Sequence, residues 1–175
     1  MSWDDMDGSD KEKLRRHMLE TEQNWQCAYT ELRLTEKNSD SHIDHFKRKH
    51  GALFPKLVFE YSNLFTASLD EDFGAKYKDK FVKAVADYDN LLSPSEINPA
   101  NFNYNIATGA IEGNTIKAKY TIEAFNLNHS DLKRNRLERI KLLEDYKDLY
   151  PLEETIGYIG EFESLIRYIY NVNNN

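Results

Sequence analysis

The chain has 175 residues, 40% hydrophobic, 30% charged and 13% aromatic, enough for one ordinary globular domain, or a small domain with a C-terminal extension, without covalent staples. A net charge of -7 and a pI near 5.3 argue against tight autonomous binding to nucleic acid, which needs clustered Lys and Arg. The single cysteine, Cys27, excludes an intrachain disulfide and a four-cysteine zinc site. No apolar run reaches the length of a signal or membrane-spanning segment, so a cytoplasmic protein with no membrane association is expected.

In chain order, an acidic lead is followed by Ser9-Asp10-Lys11-Glu12, a capping-box pattern that predicts a helix with Leu14, Met18, Thr21 and Trp25 on one face. Thr30, Leu32 and Leu34 alternate with polar residues and predict a strand over 27–34. Turn residues 37–41 then reverse the chain, so that 42–46 would return beside 27–34 as a hairpin. From His45 to Val58 there is no acidic residue, and Lys47, Arg48 and Lys49 form a local positive patch. Phe81, Val85, Tyr88 and Leu92 recur at helical spacing from Lys78 onward, before Pro94. Linker-like residues 93–99 suggest a boundary there, followed by a second hairpin turning at Thr108-Gly109 and a short helix over 120–125. Asn128 or Ser130 could cap a longer helix burying Leu132, Ile140 and Leu143, with Arg134, Arg136, Arg139 and Lys141 on its other sides. A last helix, 153–170, is apolar over an arc so wide that it must pack deeply or dock on a partner.

The chemistry-bearing stretch is His42-Ile43-Asp44-His45-Phe46, where two imidazoles and a carboxylate fall within four positions. A strict strand puts His42 and Asp44 on one face and His45 on the other, so convergence requires the strand to end, bulge or twist. Either histidine alone reads equally well as an ordinary polar residue beside a turn. A zinc or iron site using His42, His45 and His50 is a remoter reading, since soft-metal donors are too few.

Taken with Cys27-Ala28-Tyr29 and Asn63-Leu64-Phe65, this stretch resembles the HNH (ββα-metal) endonuclease subunits of Septu-type anti-phage defence systems, which also occur beside retron reverse transcriptases. Ser93-Pro94, Asn98-Pro99, Thr108-Gly109-Ala110-Ile111, Thr121-Ile122, Leu127-Asn128, Leu132 and Arg136 are similar to that family in order and spacing, so the resemblance runs from about residue 14 to 145. It implies an α+β fold: a small ββα-metal module with an N-terminal helix over 1–94, and a mainly helical extension carrying a short hairpin over 95–175. It further implies hydrolysis of phosphodiester bonds in DNA or structured RNA, with His45 as general base and Asp44 as ligand of Mg²⁺ or Mn²⁺. Asn63 would orient the base or join the metal, although an Asn before an apolar pair also serves simply to close a turn. His42 would be a supporting catalytic group, and Lys76, Lys78, Lys47 and Arg48 would contact substrate phosphates.

Many family members carry a structural zinc on paired cysteines. Here Cys27 is matched by Thr30, Ser68 and Gly74 at or near the other places, so no structural zinc is expected. Ala75 stands where relatives often carry His or Asn, so the metal would have fewer protein ligands or borrow Asp70, Asp72 or Asp79. The implied partners are an SMC- or ABC-like ATPase, in retron-linked versions a reverse transcriptase with its RNA and DNA, and the nucleic-acid substrate. The alternative is a catalytically inactive adaptor of the same descent that binds the ATPase, using the wide C-terminal apolar face.

Overall fold

The computed structural model describes residues 2–37, 39–49 and 53–173. Over these the fold is mixed α+β, with six α-helices and two small antiparallel sheets. Asp7 caps α1 (Gly8–Thr21), its carboxylate accepting from the Ser9 amide at 2.7 Å. The expected capping box at Ser9 is not formed, because the helix starts at Gly8 and Ser9 lies inside it, while Glu12 pairs with Arg15 at 2.9 Å. Met18 is buried as expected, but the helix ends at Thr21, which is exposed. Asn24 and Trp25 take left-handed φ values of 46° and 58° and turn the chain sharply.

The expected hairpin between 27–34 and 42–46 is not formed. Residues 26–33 make a tight turn, closed by Cys27 N to Leu32 O at 2.8 Å and a single bridge from Gln26 to Arg33. The partner of β1 (Ser41–His45) is β2 (Leu64–Ser68), antiparallel, with Asp44 opposite Phe65 and His45 opposite Leu64. Thr66 points its backbone away from β1, accepting from Ala28 N at 3.0 Å and donating to the Gln23 side chain at 2.8 Å. The turn therefore covers the outer edge of β2 instead of extending the sheet beyond β1. Of the expected turn at 37–41, Asn38 lies outside the described residues and Ser41 already belongs to β1.

α2 (Ala75–Phe81) begins earlier than expected and stops at extended Val82, and a 3-10 turn (Val85–Asn90) replaces the predicted continuation. Phe81 and Val85 are consequently exposed, whereas Tyr88 and Leu91 are buried. The second hairpin forms as expected from β3 (Phe102–Asn105) and β4 (Ala110–Gly113). Its turn needs glycine: Gly109 has φ +69°, and a Cβ there would lie 2.3 Å from the Lys133 carbonyl oxygen. Thr115 caps α3 (Ile116–Ala124). His129, neither Asn128 nor Ser130, caps α4 (Ser130–Tyr146), while Asn128 holds both backbone groups of Ile111 at 2.8 and 2.9 Å.

Leu132, Ile140 and Leu143 are buried as expected, but so is Arg136, whose guanidinium donates to the Leu127 carbonyl. The predicted terminal helix is two helices, α5 (Leu152–Ile159) and α6 (Glu163–Asn173). Positive φ at Gly160 and Phe162 breaks it, and the Arg33 guanidinium fills the space beside Gly160. The wide arc thus resolves into two narrower faces that bury Ile156, Ile159, Leu165 and Ile166 against the protein itself. The main core takes Leu19, Phe46 and Leu91 from the first half and Ile122, Phe125 and Leu127 from the second, so the halves share one interior. Among the described residues no helix is long and apolar enough to cross a membrane.

Candidate active site

β1 presents two unlike faces. Alternation sends His42 and Asp44 toward α2, and Ile43 and His45 toward α1 and the N-terminal turn. On the first face the Asp44 carboxylate accepts, at Oδ2, from the Tyr29 hydroxyl at 2.6 Å and the Lys78 ammonium at 2.8 Å. Lys78 has no exposed surface. It also donates to the carbonyls of His45 and Phe46 at 3.0 and 3.1 Å and lies 3.3 Å from Asp79 Oδ1.

Burial pushes the Asp44 carboxyl up, but the Lys78 charge and the hydrogen bonds from Lys78 and Tyr29 outweigh it and hold the group below its ordinary value. Burial likewise opposes the Lys78 charge, and the carboxylates of Asp44 and Asp79 more than restore it. The pair is ionised and locked. His42, beside it, is driven by burial toward the neutral imidazole, and its Nδ1 is buried without a hydrogen-bond partner.

On the second face His45 Nε2 lies 3.0 Å from the Val58 carbonyl oxygen. A carbonyl only accepts, so Nε2 carries the proton. Burial lowers the His45 pKa, so at neutral pH the ring is uncharged and Nδ1 holds a lone pair, the form a general base requires. Trp3 packs edge-on against this ring, with centroids 4.7 Å apart. Asn63, immediately before β2, acts between the two strands. Its side chain accepts from Lys47 N at 2.7 Å and donates to the carbonyls of Lys47 and Leu57 at 3.1 Å each. It therefore pins both ends of the loop that carries Val58, and sets His45 indirectly.

The expected cations are dispersed. Lys78 lies in the core instead of facing substrate, because Asp44 on the neighbouring strand demands a countercharge. Lys76 pairs with Glu71 at 2.8 Å, Lys47 lies over the Phe54 ring, and Arg48 donates to the Asp79 carbonyl at 2.9 Å. Lys49, next in sequence, pairs with Asp4 at 2.8 Å. Asp70 and Asp72 are exposed, and His50 lies outside the described residues.

Among the described residues no group of three or more His, Cys, Asp or Glu could hold a metal ion. Tyr29 and Lys78 both reach Asp44 Oδ2, and Asp44 itself is buried. The four positions matched to a structural zinc do meet. The Ser68 amide donates to Cys27 Sγ at 3.4 Å, and a Cβ at Gly74 would lie 3.4 Å from Thr30 Cγ2 and 3.8 Å from Ser68 Oγ. They carry one sulfur donor between them.

Trp3, Tyr29 and Val58 complete the site without having been assigned a role from sequence. A Tyr two residues beyond Cys27 was part of the family resemblance, so Tyr29 carried a signal; a backbone carbonyl carries none. The chain matches no protein-family model, and no curated protein matches it.

Proposed function

We propose that this chain is a metal-dependent HNH endonuclease subunit that hydrolyses phosphodiester bonds in DNA or structured RNA, as the cytoplasmic effector of an anti-phage defence complex. The observation that carries the reading is the proximity of Cys27, Thr30, Ser68 and Gly74, residues that the sequence resemblance sets at or near the family's zinc-ligand places, at the base of the β1–β2 pair. The order of elements supports it as well: Asp44-His45 end β1, Asn63 leads into β2, and α2 follows.

In this reading His45 Nδ1 takes a proton from water as the water oxygen attacks phosphorus and the bond to the leaving oxygen breaks. Val58, with Asn63 behind it, holds the ring and its tautomer. Mg²⁺ or Mn²⁺ would have Asp44 as its ligand and would supply neutralisation of charge on the phosphate and leaving oxygen. Asp44 and His45 face opposite sides of β1, so both would reach one phosphate only around the end of the strand, where His45 is its last residue. The acidic balance of the chain favours substrate delivery by a partner, and the family resemblance implies that this partner is an SMC- or ABC-like ATPase, joined in retron-linked systems by a reverse transcriptase with its RNA and DNA.

The test is cleavage of DNA and RNA by the complex reconstituted with the ATPase in Mg²⁺ or Mn²⁺. His45→Ala is expected to lower the rate by about 10²- to 10⁴-fold, and Asp44→Ala to abolish dependence on the metal. The second reading, an inactive adaptor, is favoured by the engagement of Asp44 with Lys78. It replaces the first if the unsubstituted complex cuts nothing while His45→Ala still protects cells from phage.

A further inference from the structure

We propose that the N-terminal turn is a pseudosubstrate strap, a segment that occupies the approach to His45 and Lys49 until a nucleic-acid strand displaces it. The inference rests on the nuclease reading for the identity of the displacing ligand, but its geometry stands independently. Trp3 and His45 are only 8% and 5% exposed, and their rings meet edge to face at an interplanar angle of 83°. The base that should receive a proton from water is thus roofed by an indole.

The adjacent residue, Asp4, places its carboxylate 2.8 Å from Lys49 Nζ. The ammonium groups of Lys49 and Lys11 each lie 5.9 Å from the Trp3 ring centroid, and Phe59 packs at 6.1 Å. An aromatic plane followed directly by an anion, set between an aromatic platform and lysines, is what one nucleotide of a single strand offers: a base to stack and a phosphate to pair. Asp4 takes the phosphate's part and Trp3 the base's.

The strap is built to leave. The turn covers only Trp3–Asp5, and Asp7 caps α1 just beyond it. Trp3 also packs with Met18 and Leu64, so the displacing strand has to offset the loss of that apolar contact. The turn's charged tether joins Asp4, 76% exposed, to Lys49, 18% exposed, and an incoming polyanion competes for the lysine. A strand that claims Lys49 and Lys11 competes with Asp4 for Lys49 and with the indole for both cations.

The test uses the full chain with Asp4→Lys, a surface change that leaves the Trp3 packing partners in place, alongside Trp3→Ala. Diethylpyrocarbonate modification of His45 is followed by peptide mass spectrometry against exposed His17 as internal reference. Both variants should raise the His45 rate about tenfold or more, the expected behaviour of a local opening. A short fluorescein-labelled single-stranded oligonucleotide should bind both more tightly than it binds the unsubstituted chain. An unchanged His45 rate in Asp4→Lys and Trp3→Ala overturns the strap, whatever the complex cleaves. A raised His45 rate with tighter oligonucleotide binding upholds it, and absence of cleavage by the reconstituted complex would then count against the nuclease reading alone. A raised rate without tighter binding overturns the pseudosubstrate role.

Discussion

The two faces of β1 solve opposite problems with adjacent residues. On the Asp44 face a carboxylate is buried and must be answered, which it is by a fully enclosed lysine and a tyrosine hydroxyl, the lysine's remaining donors being taken by two backbone carbonyls. On the His45 face a titratable ring is held neutral by burial, with one carbonyl fixing its tautomer and a tryptophan over it. The first face is closed by paired charges. The second is closed by packing, the kind of closure a small segment can open.

The largest expected effect lies on the closed face. Lys78→Met strands the Asp44 charge in the interior and should cost about 3–5 kcal/mol, read as a lowered urea midpoint at unchanged slope. Adding Asp44→Leu should recover most of that loss, because replacing both partners with apolar groups removes the uncompensated charge. Failure of the double variant to recover would mean that the pair is doing more than answering its own burial.

Asn63→Ala should come next, at about 2–3 kcal/mol, since it removes three hydrogen bonds and leaves the Lys47 amide without its acceptor. Faster amide exchange at Lys47 would locate the damage in the loop. His42→Ala, which truncates a half-buried ring whose Nδ1 makes no hydrogen bond, should cost much less and separates support from pinning.

The smallest effect is a pH dependence. Burial lowers the pKa values of His42 and His45 below their ordinary 6.5, so the unfolded chain binds more protons than the folded one over that range. The stability they contribute is fully present above pH 6.5 and is lost as the pH falls through their folded-state values. Unfolding free energy should therefore decline from pH 7 toward pH 5, and His42→Asn with His45→Asn should flatten the slope. A slope that the double substitution leaves intact would place the titration elsewhere.

Much of the secondary structure was legible because it is local. The β3–β4 hairpin follows from alternation and a glycine turn, and the buried stripe of α4 from helical spacing. Errors fell where a local pattern met a distant competitor. The alternation over 27–34 looks like a strand, yet that segment is drawn to the outer edge of β2, and Gly160 splits a continuous apolar helix because Arg33 needs the space. In the candidate site, the Asp44-His45 pair and Asn63 stood out by residue type and order. Tyr29 carried only the weaker signal of its place beside Cys27. Trp3 carried none, because its role is conferred by contact with a strand far along the chain.

By itself, then, the sequence determined which short stretches are helix or hairpin and where the titratable residues cluster. Periodicity and turn chemistry act over a few residues and leave their mark on the chain. Only the tertiary structure decided that β1 pairs with β2, that Lys78 is a buried countercharge, that Asn63 clamps a loop and that Trp3 roofs His45. Each of these depends on which distant groups satisfy a buried charge, a backbone amide or an apolar ring, and that choice is settled by the competition of all long-range contacts at once.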